Sequence, residues 1–146
     1  MSQRVYEIKD IGEFLTVWHI FRDGFKGAHE AGCVKPMNEE QQMAFMLRTM
    51  NRQNTERFVA VAETNDVITG CGCAVVFDGE PWVFIAYSKP GTPEGVKPLL
   101  EEAITWAKLH NFTRLVARSE RLSPPSDKLF QTWGFKQRAI EYQLVF

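Results

Sequence analysis

Between Arg57 and Ser88 the chain holds three runs of β-forming residues, RFVAVAE, VITGCGCAVVF and PWVFIAYS, divided only by Asn65-Asp66 and Asp78-Gly79. Runs of this length and composition suit a pleated, half-buried surface, and Asn, Asp and Gly readily take the left-handed conformations that tight hairpins need. Three hairpin-linked strands make an antiparallel meander in the middle of the chain, which excludes an all-helical bundle. Gly70 and Gly72, inside the second run, mark a bulge or a close approach of another element rather than a site. Cys71 and Cys73 are two apart and share one face of that strand.

On either side of the meander the apolar period changes from two to three or four. Val5 and Tyr6 begin with a short strand. Ile11, Phe14, Leu15, Trp18 and Phe21 or Phe25 then recur at helical spacing behind Asp10, a reasonable N-cap. Gly24, Gly27, Gly32 and Pro36 predict loop or short turns over 22–37. Asn38 opens a second helix with Glu39 and Glu40 in its first turn and Met43, Phe45, Met46, Leu47 and Met50 on its apolar side, fading near Asn51. After the meander, Val96, Leu99, Leu100, Ala103, Ile104 and Ala107 predict a helix that lays one face on the sheet and ends at Asn111. A strand is expected at 114–119, a helix from Ser123-Pro124-Pro125 to a left-handed C-cap at Gly134, and a closing strand over 136–146 bent near Arg138-Ala139.

These 146 residues contain no repeat and no Ser/Gly/Pro linker, and they suffice for one self-sustaining core, so a single domain over 1–146 is expected. Its class is α/β in the α+β sense: a mixed central sheet with an antiparallel meander and flanking helices. A formal net charge of -1 offers no positive field for nucleic acid or an anionic membrane surface. The opening MSQRVYEIKD lacks a cationic segment followed by an apolar one, and no apolar run reaches membrane length, so a cytoplasmic protein is expected. Cys33, Cys71 and Cys73 then read as reduced core thiols. His19, His29 and His110 lie too far apart in sequence to complete a metal site with them, so no metal is expected.

The element order, the V-I-T-G of the second meander strand, and LFQTWGF at 129–135 resemble the GNAT acetyltransferase superfamily, whose last helix ends in a similar L-Y-E-K-L-G-F. The likeness runs over roughly 57–146; residues 1–56 match in element order only. It implies acetyl-CoA lying along Ala86 and Tyr87 and a loop made by Gly91, Thr92, Gly95 and Val96. In the family that loop reads Arg/Gln-x-x-Gly-x-Gly/Ala and cradles the pyrophosphate on helix N-terminal amides. Here Gly91, Glu94 and Val96 fall on its three defining positions, and none matches. Pro93 and Pro98 remove amide donors and Glu94 adds like charge, so weak or absent acetyl-CoA binding is expected. Read from its residues alone, Pro-Gly-Thr-Pro-Glu-Gly is a turn and helix start with Thr92 as cap.

Many family members carry a tyrosine acid on the last helix, where this chain has Phe130, and an asparagine earlier, where it has Ser123. The remaining acid or base candidates are Tyr87 at the end of the meander, Ser119 at the end of the next strand, and Glu63. Trp18, His19, Phe21 and His29 are candidates for an acceptor pocket, most of them serving equally well as a helix's buried face. The resemblance implies acyl transfer from acetyl-CoA to a small-molecule or protein amine. The alternative is a non-catalytic GNAT-like binding or structural module, of a kind that phages also encode, and either form is compatible with a homo-oligomer.

Overall fold

The computed structural model describes residues 3–92, 96–118, 130–136 and 142–146. The elements run β1 (Gln3–Glu7), α1 (Ile11–Thr16), α2 (Trp18–Glu30), α3 (Glu39–Met50), β2 (Arg57–Thr64), β3 (Val67–Phe77), β4 (Glu80–Ser88), α4 (Val96–Leu109) and β5 (Val116–Ala117). The sheet order is the chain order, β1-β2-β3-β4-β5. The first four strands pair antiparallel, and β5 pairs parallel to β4. Both meander turns are two residues long with φ positive throughout, at Asn65 and Asp66 and again at Asp78 and Gly79, the mirror-image turn whose twist matches the strands.

Two cores lie on the two faces of the sheet. On one, Phe14, Ile20, Phe21 and Phe25 of α1 and α2 and Met46 of α3 cover Val59, Val61, Cys71, Cys73, Val75 and Ile85. On the other, Leu99, Ala103, Trp106 and Ala107 of α4 cover Phe58, Ala60, Ala62 and Ala74. The expected α4 face is therefore right in outline and wrong in two members. Ile104 is exposed and Leu100 only half-buried, while Trp106, absent from the expected stripe, is buried and donates from Nε1 to the Asn54 carbonyl at 3.0 Å.

The first helical region departs most from expectation. Gly24 and Gly27 do not break the chain; they lie inside α2, which continues to Glu30. Their missing side chains let the helix sit low on the sheet: a Cβ on Gly24 would lie 2.7 Å from Cys71 Sγ and 2.8 Å from Ile85 Cγ2. The true stop is Gly32, at φ 77, where the amides of Gly32 and Cys33 return to the carbonyls of His29 and Ala28. The same paired closure ends α4 at Asn111 and ends the helical turn at 130–132 at Gly134. Asp10 caps α1, and Asn38 forms a reciprocal capping box with Gln41 at the start of α3, both as expected.

At the other end of the sheet, β5 spans two residues rather than the expected 114–119. The strand expected over 136–146 is not formed at 142–146, where Leu144, Val145 and Phe146 are exposed and have no ladder partner among the described residues. Residues 137–141, with the bend expected at Arg138-Ala139, and the helix start at Ser123-Pro124-Pro125 lie outside the described residues.

Candidate functional site

The sheet opens along β4. A register shift opposite Cys73 and Ala74 leaves Phe84 as the extra residue, so Phe84 and Ile85 both turn to the α2 side while Val83 faces α4. Such a bulge bends and twists its strand. Pairing with β5 stops at the same place, at Trp82↔Val116 and Val83↔Ala117. From Phe84 to Ser88, the edge of β4 turned away from β3 has no ladder partner among the described residues. An unpaired run of backbone donors and acceptors is the kind of edge that accepts an extended, amide-containing ligand.

Ala86 and Tyr87 lie on this open segment, opposite Gly72 and Cys71 of β3. The Tyr87 ring runs along α2. Its Cβ is 3.6 Å from where a Cβ on Gly24 would stand, and its Cδ1 and Cε1 are 3.1 and 3.7 Å from where one on Gly27 would stand. The hydroxyl makes no hydrogen bond among the described residues. Burial, then the nearby Asp23, Cys71 and Glu30, push the Tyr87 phenol above its ordinary value. Asp23, Gly27 and Glu30 are spaced i, i+4, i+7 and share a face of α2, which sets one carboxylate a turn before the ring contact and the other a turn after it. These acids were not legible beforehand, because their alignment exists only once Gly24 and Gly27 are helical.

The loop after β4 is divided in character. Gly91 has φ 81 and an open surround, so it serves a turn and not a close approach. The Thr92 hydroxyl donates to the Lys89 carbonyl at 2.5 Å, tightening that turn. Pro93, Glu94 and Gly95 lie outside the described residues, and Val96 begins α4 half-buried. In the first turn of α4, Pro98 has no amide hydrogen to donate. Lys89 and Lys97 bracket the loop and supply positive charge that the expected site residues did not include. Backbone groups along β4 could pair with the amide arm of a CoA ligand, and Pro93 and Pro98 have no amide hydrogen to offer its phosphates.

The other candidates separate. Glu63 is on the β1–β2 side, where it accepts from Arg4 Nε at 2.7 Å and from the Tyr6 hydroxyl at 3.0 Å. The Arg4 hydrogen bond holds its carboxyl below the usual range, as for a structural anion rather than a base. Phe21 is wholly buried, His19 is exposed, and Trp18 is half-buried with its Nε1 3.4 Å from Glu39. Ser119 and Ser123 lie outside the described residues. Phe130 packs its ring against Phe135, centroids 5.8 Å apart, and Trp133. Burial pushes the Cys71 thiol well up and the Cys73 thiol up to about 12, and no group of three potential metal ligands occurs among the described residues. No helix among them is long and apolar enough to cross a membrane.

No protein family and no curated protein matches the chain by sequence. Solved structures do. The aminoglycoside acetyltransferase AAC(6')-Iy, in complex with a CoA-S-monomethyl-acetylneamine bisubstrate analogue, superposes with a TM-score of 0.71 at 13% identity over 100% of both chains. A predicted acetyltransferase from Clostridium acetobutylicum with acetyl-CoA gives 0.72 at 13% identity, over 99% of this chain and 96% of that one. The aminoglycoside 6'-N-acetyltransferase AAC(6')-Ih from Acinetobacter baumannii gives 0.72 at 15% identity over 99% of each. At these identities the likeness establishes the fold, which is that of the GNAT acetyltransferases.

Proposed function

We propose that the chain is an acetyl-CoA-dependent N-acyltransferase with a weakened hold on the cofactor's phosphates, in which Tyr87 is the proton donor. The open edge of β4 carries this reading. It begins at the Phe84 bulge, carries Tyr87, whose hydroxyl has no hydrogen bond among the described residues, and belongs to a fold shared end to end with proteins solved with acetyl-CoA or an analogue of it.

Bound acetyl-CoA supplies an acyl group activated as a thioester. The β4 backbone from Phe84 to Ser88 orients the arm that carries it. Tyr87 carries its proton at neutral pH as an ordinary tyrosine does, so its oxygen can give a proton to the departing thiolate. That fills the role left vacant by Phe130. Asp23 and Glu30 favour an acceptor amine that arrives as an ammonium ion from the α2 side and loses a proton to solvent. The neutral nitrogen then bonds to the acyl carbon as the carbon–sulfur bond breaks. The nitrogen's extra proton passes to solvent and the CoA thiolate takes the Tyr87 proton, which solvent restores. Lys89 and Lys97 offset Glu94 at the phosphate end.

Calorimetric titration with acetyl-CoA and with acetyl-pantetheine, which lacks the nucleotide and its phosphates, tests the reading. Both ligands are expected to bind in the range of about 0.1–1 mM, within roughly tenfold of each other. No binding of either at about 10 mM would overturn it. The second reading, a non-catalytic module with this fold, would then stand, favoured by the mismatched loop and by the missing hydroxyl at Phe130.

A further inference from the structure

We infer that Gly27 is a positioning residue for the Tyr87 hydroxyl: the bare helix surface there seats the ring and so sets where its oxygen stands. The inference rests on the proposed role of Tyr87 and adds a residue to it.

Gly24 and Gly27 are both helical glycines beneath the same sheet, yet they meet different things. A Cβ on Gly24 would press on Cys71 Sγ and Ile85 Cγ2, interior atoms of the core, and would only graze Tyr87. Among the described residues, a Cβ on Gly27 would meet only Tyr87, at 3.1 Å from Cδ1 and 3.7 Å from Cε1. The Cδ1 distance is shorter than ordinary carbon contact, so the ring must tilt away by a few tenths of an ångström. The hydroxyl lies at the far end of the ring from Cβ, and rotation about the inner bonds magnifies that shift at the oxygen. Proton transfer tolerates little such error, since donor and acceptor must approach hydrogen-bond distance. Glycine inside a helix otherwise costs about 1 kcal/mol relative to alanine, so the residue is present against local preference.

Gly27→Ala, Tyr87→Phe and the double variant test the assignment, with acetyl-CoA as donor and neamine as acceptor. Phenylalanine keeps the ring and its contact with residue 27, so a purely structural penalty persists in the Tyr87→Phe background, whereas a penalty in hydroxyl placement disappears. Gly27→Ala is expected to lower kcat about tenfold or more with the acetyl-CoA Kd unchanged, and to add less than about twofold to Tyr87→Phe. An equal loss in both backgrounds, or an unchanged kcat, overturns the inference. If neamine is not acetylated by the wild type, the placement is read by ultraviolet titration of the phenol, while ligand binding alone decides the proposed activity. The component lost in Tyr87→Phe is expected to titrate at lower pH in Gly27→Ala, and no change there overturns the seat itself.

Discussion

The two faces of the sheet reach close packing by opposite means. On the α2 face the strands carry full side chains and the helix is bare, with Gly24 and Gly27 set over Cys71, Ile85 and Tyr87. On the α4 face the helix carries Leu99 and the strand is bare, with Gly70 and Gly72 beneath it. A glycine on the helix faces the tips of side chains, which can move. A glycine on the strand faces its neighbour's backbone, which cannot: a Cβ on Gly70 would lie 2.5 Å from the Tyr87 carbonyl oxygen.

The largest expected effect is at Leu99, which is 2% exposed and fills the space over both strand glycines. Leu99→Ala should cost about 2–5 kcal/mol in urea denaturation, and half-buried Leu100→Ala only about 1 kcal/mol. Equal losses would mean that the α4 face is not seated as described.

Next comes Gly70→Ala, at about 3 kcal/mol, because relief requires β3 and β4 to separate. Gly24→Ala should cost less, about 1–2 kcal/mol, since Sγ and Cγ2 can yield and alanine regains about 1 kcal/mol of helix propensity. If the two substitutions proved equally costly in the same denaturation experiment, the contrast between the faces would fail.

How much of this was legible beforehand follows the same division. The meander, both hairpin turns and the caps at Asp10, Asn38 and Gly134 are set by residues acting on their own backbone, and they stand where local chemistry puts them. Gly24 and Gly27 were misread as breakers because glycine in a helix and glycine in a loop look alike until the surface opposite is known. Gly32, a few residues on, does terminate its helix, and nothing local distinguishes it from the other two. The site suffered in consequence. Tyr87 is a candidate from its place at the end of a strand and Ala86 from the family resemblance alone, while Asp23, Gly27 and Glu30 need the helix and the Phe84 bulge needs the cross-strand register.

The smallest effect expected concerns the thiols and leaves stability at neutral pH unchanged. Half-buried Cys33 should react first with a water-soluble disulfide reagent, and Cys71 and Cys73 only as fast as the protein opens. Folding raises the pKa of both buried thiols, so their contribution to stability is complete below the ordinary thiol range. It is lost as pH rises through the folded value, about 12 for Cys73. Modification of Cys73 in native protein as fast as that of Cys33 would show that the sheet is open on the α2 side.

Because strand order follows chain order, the molecule has a built-in sequence of assembly in time. Each hairpin between β2, β3 and β4 closes a loop of two residues, at little entropic cost, whereas β1 must find Thr64 from Gln3 across everything between them. The meander can thus form early, as a template on which α4 then docks its Leu99 stripe, with β1 arriving late. Pulse-labelled hydrogen exchange during refolding should protect the amides of β3 before those of β1. The edge proposed to receive a ligand is then laid down with the first strands to fold, so a substitution that spoils it will slow folding as well as function.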